Sequence, residues 1–192
     1  MILYINACVR KNSRTRLLAE YLLSKMNDEI VEIKVHDLEY PKMDEDFINL
    51  RNAAGAQKNY DAPCAALSRQ FTQADTIVVA APFWDLSFPS ALKDYFEQVC
   101  IVGISFDYDE EGLPYGLCKA RKLYYVTTAG GLVDSYDYGF GYIRALATDF
   151  YHIPEIKLIK AENLDVDADH LDQILEQAKA DIDALFQEEI CQ

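Results

Sequence analysis

Five short apolar runs, each divided from the next by a helical pattern, constrain this chain more than anything else in it. They are Ile2–Ala7, Val31–Val35, Thr76–Ala81, Leu123–Thr128 and Ile156–Ala161. Strands alternating with helices predict a parallel sheet with helices packed on both faces. The runs differ in character, and the difference suggests their order. Ile2–Ala7 and Thr76–Ala81 are continuously apolar, as strands covered on both faces should be. Val31, Ile33 and Val35 alternate with Glu32, Lys34 and His36, and Lys157 and Lys160 interrupt the last run. Those two read as edges. Edges second and fifth, with the first and third inside, give the order 2-1-3-4-5 of a flavodoxin-like doubly wound sheet.

The helical stretches carry matching stripes. Leu17, Leu18, Tyr21, Leu22 and Met26 form one. Leu92, Tyr95, Phe96 and Val99 form a second, and Leu171, Ile174, Leu175, Ala178, Ile182, Leu185 and Phe186 a long third. Spacing of this kind predicts core-facing helices. With 192 residues, no repeat and no Pro/Gly/Ser-rich linker, residues 1–192 are expected to form a single domain.

Charge and cysteine content narrow the function. The formal net charge is -14, a field that repels phosphate backbones, so nucleic acid is not an expected partner. Five cysteines without C-x-x-C spacing, and no signal sequence, fit reduced thiols in a cytoplasmic protein. No apolar run is long enough to span a membrane. His36, His152 and His170 lack metal-ligand spacing, so no metal is expected.

In doubly wound sheets ligands bind beyond the carboxyl ends of the strands, where the order reverses. The loops after the first, third and fourth strands would lie there. The first, Cys8 to Arg16, holds Arg10, Lys11, Arg14 and Arg16, four of the chain's eighteen basic residues, and leads into a helix. A helix N-terminus attracts anions, and Ser13 and Thr15 could add hydroxyl donors; both residue types are also ordinary N-caps. The second loop, Pro82-Phe83-Trp84-Asp85-Leu86, carries the only tryptophan. That ring could lie against a flat ligand or simply cover the end of the sheet. The third, Thr127-Thr128-Ala129-Gly130-Gly131, permits positive φ and close backbone approach, or is a plain turn. An anion cradle, an aromatic wall and a close-backbone turn at one end of one sheet suit a phosphate joined to a planar heterocycle, as in FMN. G-x-x-x-x-G-K-[ST], G-x-G-x-x-G and the nucleophile elbow are all missing, which disfavours nucleotide triphosphatases, Rossmann dinucleotide binding and serine hydrolysis.

These residues also carry a resemblance. "APFWDLSFPSALKDYFEQV" resembles the A-P-x-[YW]-N segment and following helix of the FMN-dependent NADH:quinone oxidoreductase and azoreductase family. "SRTRLLAEYL" is similar to that family's phosphate loop, and "GISFDYDEEGLPYGLCKARKLYYVTTAGG" to its G-x-T-F-x-Y…T-S-x-G-G stretch. The likeness covers nearly the whole chain and is weakest over 37–74. It implies a flavoenzyme in which FMN takes two electrons from NADH or NADPH and passes them to a quinone, azo or nitro compound by ping-pong exchange, without a catalytic side chain. It also implies a homodimer whose partner subunit helps line each site. By matched position it assigns Ser13, Arg14 and Thr15 to the phosphate, with Cys8 close by. Phe83, Trp84, Asp85 and Leu86, after Pro82, would run along the isoalloxazine, and Thr128, Ala129, Gly130 and Gly131 would hold its pyrimidine end. Phe106, Tyr108, Tyr138 and Phe140 are further candidate lining groups. Relatives usually have Asn at position 85, so the Asp85 carboxylate either turns away or opposes the reduced flavin. A flavodoxin-like electron carrier and a flavin-free interaction protein of the same fold are the alternatives.

Overall fold

The computed structural model describes residues 1–133 and 138–190. Its main sheet contains β1 (Ile2–Asn6), β2 (Ile30–Lys34), β3 (Thr76–Ala80), β6 (Lys122–Thr128) and β7 (Glu155–Ala161). All neighbours are parallel, in the order β2-β1-β3-β6-β7. Numbered among the five main strands alone, that order is 2-1-3-4-5. The two remaining strands, β4 (Phe106–Tyr108) and β5 (Pro114–Gly116), form a separate antiparallel hairpin.

Burial follows from position in the sheet. Every residue of β1 is buried, whereas β2 buries only Ile33 and β7 only Ile159 and Ala161. A central strand is covered by helices above and below, so its side chains are apolar on both faces. An edge strand needs only one covered face.

One face is covered by α1 (Arg14–Ser24) and α6 (Leu171–Ile190). Leu18, Ala19, Leu22 and Leu23 of α1 meet Ala178 and Ile182 of α6 over Tyr4, Val78 and Val126. Two members of the α1 stripe are placed differently from the sequence expectation. Leu17 is 44% exposed, because a helical period of 3.6 carries it past the sheet, and Ala19 and Leu23 fill the contact instead. Met26 lies beyond the helix end but still packs on this core.

The other face is covered by α3 (Ala66–Gln73), α4 (Ser90–Val99) and α5 (Phe140–Ala145). Leu92, Tyr95, Phe96 and Val99 of α4 are all essentially inaccessible. Burying each such side chain is worth roughly 1.5–3 kcal/mol, enough to fix the helix on the sheet. Helix α2 (Glu45–Ala56) closes a smaller core with Ala65, Ile101 and Ile104. The hairpin is tied down by Phe106, whose ring meets Phe150 edge-on at 4.6 Å. Phe150 belongs to the π-helical turn Leu146–Phe150 that follows α5.

Among the described residues no helix is long and apolar enough to cross a membrane. Cys8, Cys64, Cys100 and Cys118 are free thiols; Cys191 lies outside the described residues.

Candidate functional site

Strands β1, β3 and β6 run parallel and in register, with Asn6 opposite Ala80 and Ala80 opposite Val126. Their following loops therefore leave from one edge, side by side. A cleft of about 250 Å³ opens between those loops. Its walls are the segment from Cys8 to Thr15, the residues Pro82–Trp84, the residues Thr128–Gly130, and Leu164 with Asp165.

The first wall is the start of α1. Ser13 is its N-cap, with extended backbone and with Oγ accepting from the Arg16 N–H at 3.2 Å. That cap leaves the next N–H groups, of Arg14 and Thr15, at the open end of the helix, where the dipole is positive. Thr15 is 1% exposed, and its Oγ1 lies 2.6 Å from Thr128 Oγ1. This bond joins the first wall to the third. The Arg14 guanidinium donates to the Leu164 carbonyl at 3.0 Å and to Asp165 Oδ1 at 2.8 Å. It lines the cleft but is committed to anchoring the fourth wall.

Cys8 is buried beneath this loop. Its N–H donates to Asn6 Oδ1 at 2.9 Å. Burial pushes its thiol up to about 11, with Ser13 and Arg16 pulling weakly the other way. At neutral pH it is an uncharged packing group rather than a nucleophile.

The second wall is a tight turn. Trp84 N–H donates to Ser87 O at 3.0 Å and Ser87 N–H to Trp84 O at 2.8 Å. The two residues between, Asp85 and Leu86, have φ of 50° and 65°. Both central residues left-handed is the arrangement of a type I′ turn. Phe83 N–H donates to Thr128 O at 3.0 Å, which ties this wall to the third. Phe83 and Trp84 are half-buried and face the cleft, while Asp85 and Leu86 sit exposed at the apex and do not line it.

The third wall corrects the expectation for the paired glycines. Neither Gly130 nor Gly131 has positive φ. Gly130 leaves room for a neighbour: a Cβ there would run into the Asp165 carboxylate. Gly131 lies beyond the lining. The wall is stitched to residues 163–166 by the bonds Leu164 N–H to Ala129 O, Asp165 N–H to Gly130 O and Asn163 N–H to Gly131 O.

Ten of the expected residues thus meet at the cleft, namely Cys8, Ser13, Arg14, Thr15, Pro82, Phe83, Trp84, Thr128, Ala129 and Gly130. Asp85, Leu86 and Gly131 flank it. The four additional aromatics do not line the cleft: Phe106 is buried against Phe150, Phe140 packs on Tyr125, Tyr108 stands on the hairpin, and Tyr138, 62% exposed, lies beside the second wall, its carbonyl accepting from Ser87 Oγ at 3.3 Å. Sequence reasoning did not assign Val9, Arg10 and Asn12, although it read their loop, and it missed Leu164 and Asp165 entirely. The available signal for those two was their position just beyond the last strand, on the carboxyl side of the sheet.

Residues 1–186 match the model of the family described as having a flavodoxin-like fold. The chain belongs to that family. It is 32% identical over 191 residues to an FMN-dependent NADH:quinone oxidoreductase of Clostridium beijerinckii, covering 92% of this chain and 93% of the relative. It is 33% identical over 186 residues to FMN-dependent NADH:quinone oxidoreductase 2 of Clostridium acetobutylicum, covering 91% and 92%. In structure it is similar to an azoreductase from Bacillus anthracis, with a TM-score of 0.82, 22% identity, and 96% and 97% of the two chains covered. A flavodoxin-like member places its ligand where these walls meet, at the switch point between β1 and β3.

Proposed function

We propose that this chain is an FMN-dependent oxidoreductase that takes electrons from NADH or NADPH and delivers them to quinones, with azo and nitro compounds as further acceptors. The convergence of a helix N-terminus, a half-buried indole and a glycine-floored wall on one cleft carries the proposal. The names of the curated relatives, FMN-dependent NADH:quinone oxidoreductases, support it.

The residues present fit the cofactor. The Arg14 and Thr15 N–H groups and the Ser13 hydroxyl offer donors to a phosphate, at the positive end of a helix. Phe83 and Trp84 offer flat apolar surface to a ring system. Gly130 and Gly131 have N–H groups that bond to no other described residue, and they are donors for a carbonyl edge. FMN, when bound, supplies the two-electron chemistry, so no side-chain nucleophile is required. The protein's part is to hold the ring, keep charge away from it and leave one face open. Asp85 is exposed and does not line the cleft, so its carboxylate is available to solvent rather than to the ring. Arg14 acts indirectly, by locking the wall that carries Asp165. Donor and acceptor use the same open face in turn, which gives ping-pong kinetics. The active form is a homodimer in the cytoplasm, with the partner subunit completing each cleft.

The absorption spectrum of the protein as purified tests the cofactor assignment. A flavin spectrum is expected, with FMN rather than FAD released on heating. NADH oxidation with menadione as acceptor should then turn over steadily, and sedimentation should give a dimer. A colourless protein that takes up no FMN overturns the reading. A flavin spectrum without turnover reassigns the chain to electron carriage.

A further inference from the structure

A second pocket, of about 430 Å³, lies away from the cleft, between the segment after β2, helix α2 and the start of α3. Its walls are mostly apolar: Leu38, Tyr40, Phe47 and Leu67 are half-buried, and Leu50 stands 56% exposed at the mouth. The Tyr40 hydroxyl is committed to the carbonyls of Val35 and Ala91, at 3.1 and 3.3 Å, so its ring is a fixed wall.

The floor differs in kind. It holds Gln98, from the last turn of α4, which is 5% exposed. Its carboxamide makes no hydrogen bond with another described residue. Its amide atoms keep contact with solvent, since neither is among the described buried polar atoms without a partner. What exposure Gln98 keeps opens into this pocket. The charge of the lining restricts the occupant further. Glu39 is its only carboxylate and no cation lines it, on a chain of net charge -14. Anions are repelled, and a carboxamide offers one acceptor and two donors to a neutral group. An apolar pocket with one convergent polar group, in the size range of small-molecule sites, has the form that such sites take.

We propose that this pocket binds a neutral, one- or two-ring molecule whose hydroxyl or carbonyl group is held by the Gln98 carboxamide. The site is separate from the flavin cleft and does not depend on how that cleft is read.

The test uses 1-naphthol as probe, on the protein as purified, with ligand-observed NMR titration. Gln98→Leu keeps the bulk and removes the amide. It should weaken naphthol binding by about tenfold, the worth of one neutral hydrogen bond, and leave naphthalene binding unchanged. Leu50→Asp, at the exposed mouth, should weaken both probes without touching the core. Cys64 lines the same pocket, so saturating naphthol should slow its alkylation, followed by peptide mass spectrometry. Trp84→Ala should leave naphthol binding intact. Equal affinity in Gln98→Leu, undiminished alkylation of Cys64, or loss of binding confined to Trp84→Ala overturns the proposal. The last outcome would place the probe in the flavin cleft. The Cys64 and Leu50 measurements decide the matter even if Gln98→Leu does not fold.

Discussion

On one side of the cleft a turn without glycine takes left-handed backbone twice; on the other, two adjacent glycines take it at neither position. The two walls solve different problems. The turn at Asp85 and Leu86 reverses the chain within two residues, presenting Phe83 and Trp84 to the cleft, and does so with type I′ geometry. The pair of bonds between Trp84 and Ser87 holds it there. Asp tolerates the left-handed region, but Leu pays about 1–2 kcal/mol for it. At Gly130 the backbone is unstrained and the absent side chain is the point, since Asp165 occupies the space. A glycine in a loop is evidence of a constraint, but the constraint can be a neighbour rather than a dihedral angle.

The sharpest way to break this comparison is Gly130→Ala. A methyl group there must displace the Asp165 side chain, and Asp165 is held by Arg14. The Arg14–Asp165 ion pair is expected to break, and if the wall follows by about 1 Å, kcat/KM falls on the order of a hundredfold. Steady-state NADH oxidation measures it. Because Gly130 lies outside the left-handed region, full activity in Gly130→Ala would mean that space beside Asp165 is not the constraint.

Thr15→Ala comes next. It leaves the buried Thr128 hydroxyl without its 2.6 Å partner and removes a donor from the helix start. The expected cost is about 1.5–3 kcal/mol if a charged oxygen was bonded there, seen as a tenfold to hundredfold weaker FMN affinity. Fluorescence titration of the apoprotein with FMN, quenching Trp84, reads it directly. Unchanged affinity would reduce Thr15 to a strut between two walls.

Leu86→Gly addresses the opposite wall, and its sign is reversed. It creates Asp-Gly, the pair that a type I′ turn favours. Relief of left-handed strain outweighs the added freedom of the unfolded chain, for a net gain of about 0.5–1 kcal/mol. Thermal melting should rise by roughly 1–4 °C for a chain of this size. A lower melting temperature would mean that the Leu86 side chain contributes packing its exposure does not suggest.

Cys8→Ala should change least. The thiol is raised to about 11, so the group stays protonated through neutral pH and takes no part as a base or nucleophile. The sign for stability is definite: the folded protein keeps this proton longer than the unfolded chain does. The native thiol's contribution is full below the ordinary thiol range and falls as pH rises towards about 11. The variant should show an unshifted pH–rate profile and lose that alkaline decline in a stability titration.

Much of this arrangement was legible because it rests on local pattern. The unbroken apolar runs of β1 and β3 and the interrupted ones of β2 and β7 reflect burial, and burial fixed the strand order. Leu92, Tyr95, Phe96 and Val99 followed from helical spacing alone. The three loops followed from the sheet. What stayed hidden depends on contacts far apart in sequence or on backbone choices against propensity. Asp165 reaches Arg14 across 151 residues, and no periodicity encodes that pairing. Leucine is a poor left-handed residue, so nothing in the sequence marks Leu86 as one. The π-helical turn after α5 and the three-residue strands of the hairpin are too short to leave a pattern. Over residues 37–74 α2 and α3 were not anticipated: α2 packs on the small core of Ala65, Ile101 and Ile104 rather than on the main one, and α3 is only eight residues long.

The stitching of residues 163–166 to Ala129, Gly130 and Gly131 sets a schedule for synthesis. Three walls of the cleft are encoded before residue 132, but the fourth, with its grip on Arg14, comes only after β7. A domain generally folds as a unit, and a nascent chain that has not reached Asp165 carries the residues of three walls and none of the fourth. Cofactor loading would therefore be among the last events in this protein's maturation, and premature termination before Asp165 would release a chain without the fourth wall or its grip on Arg14.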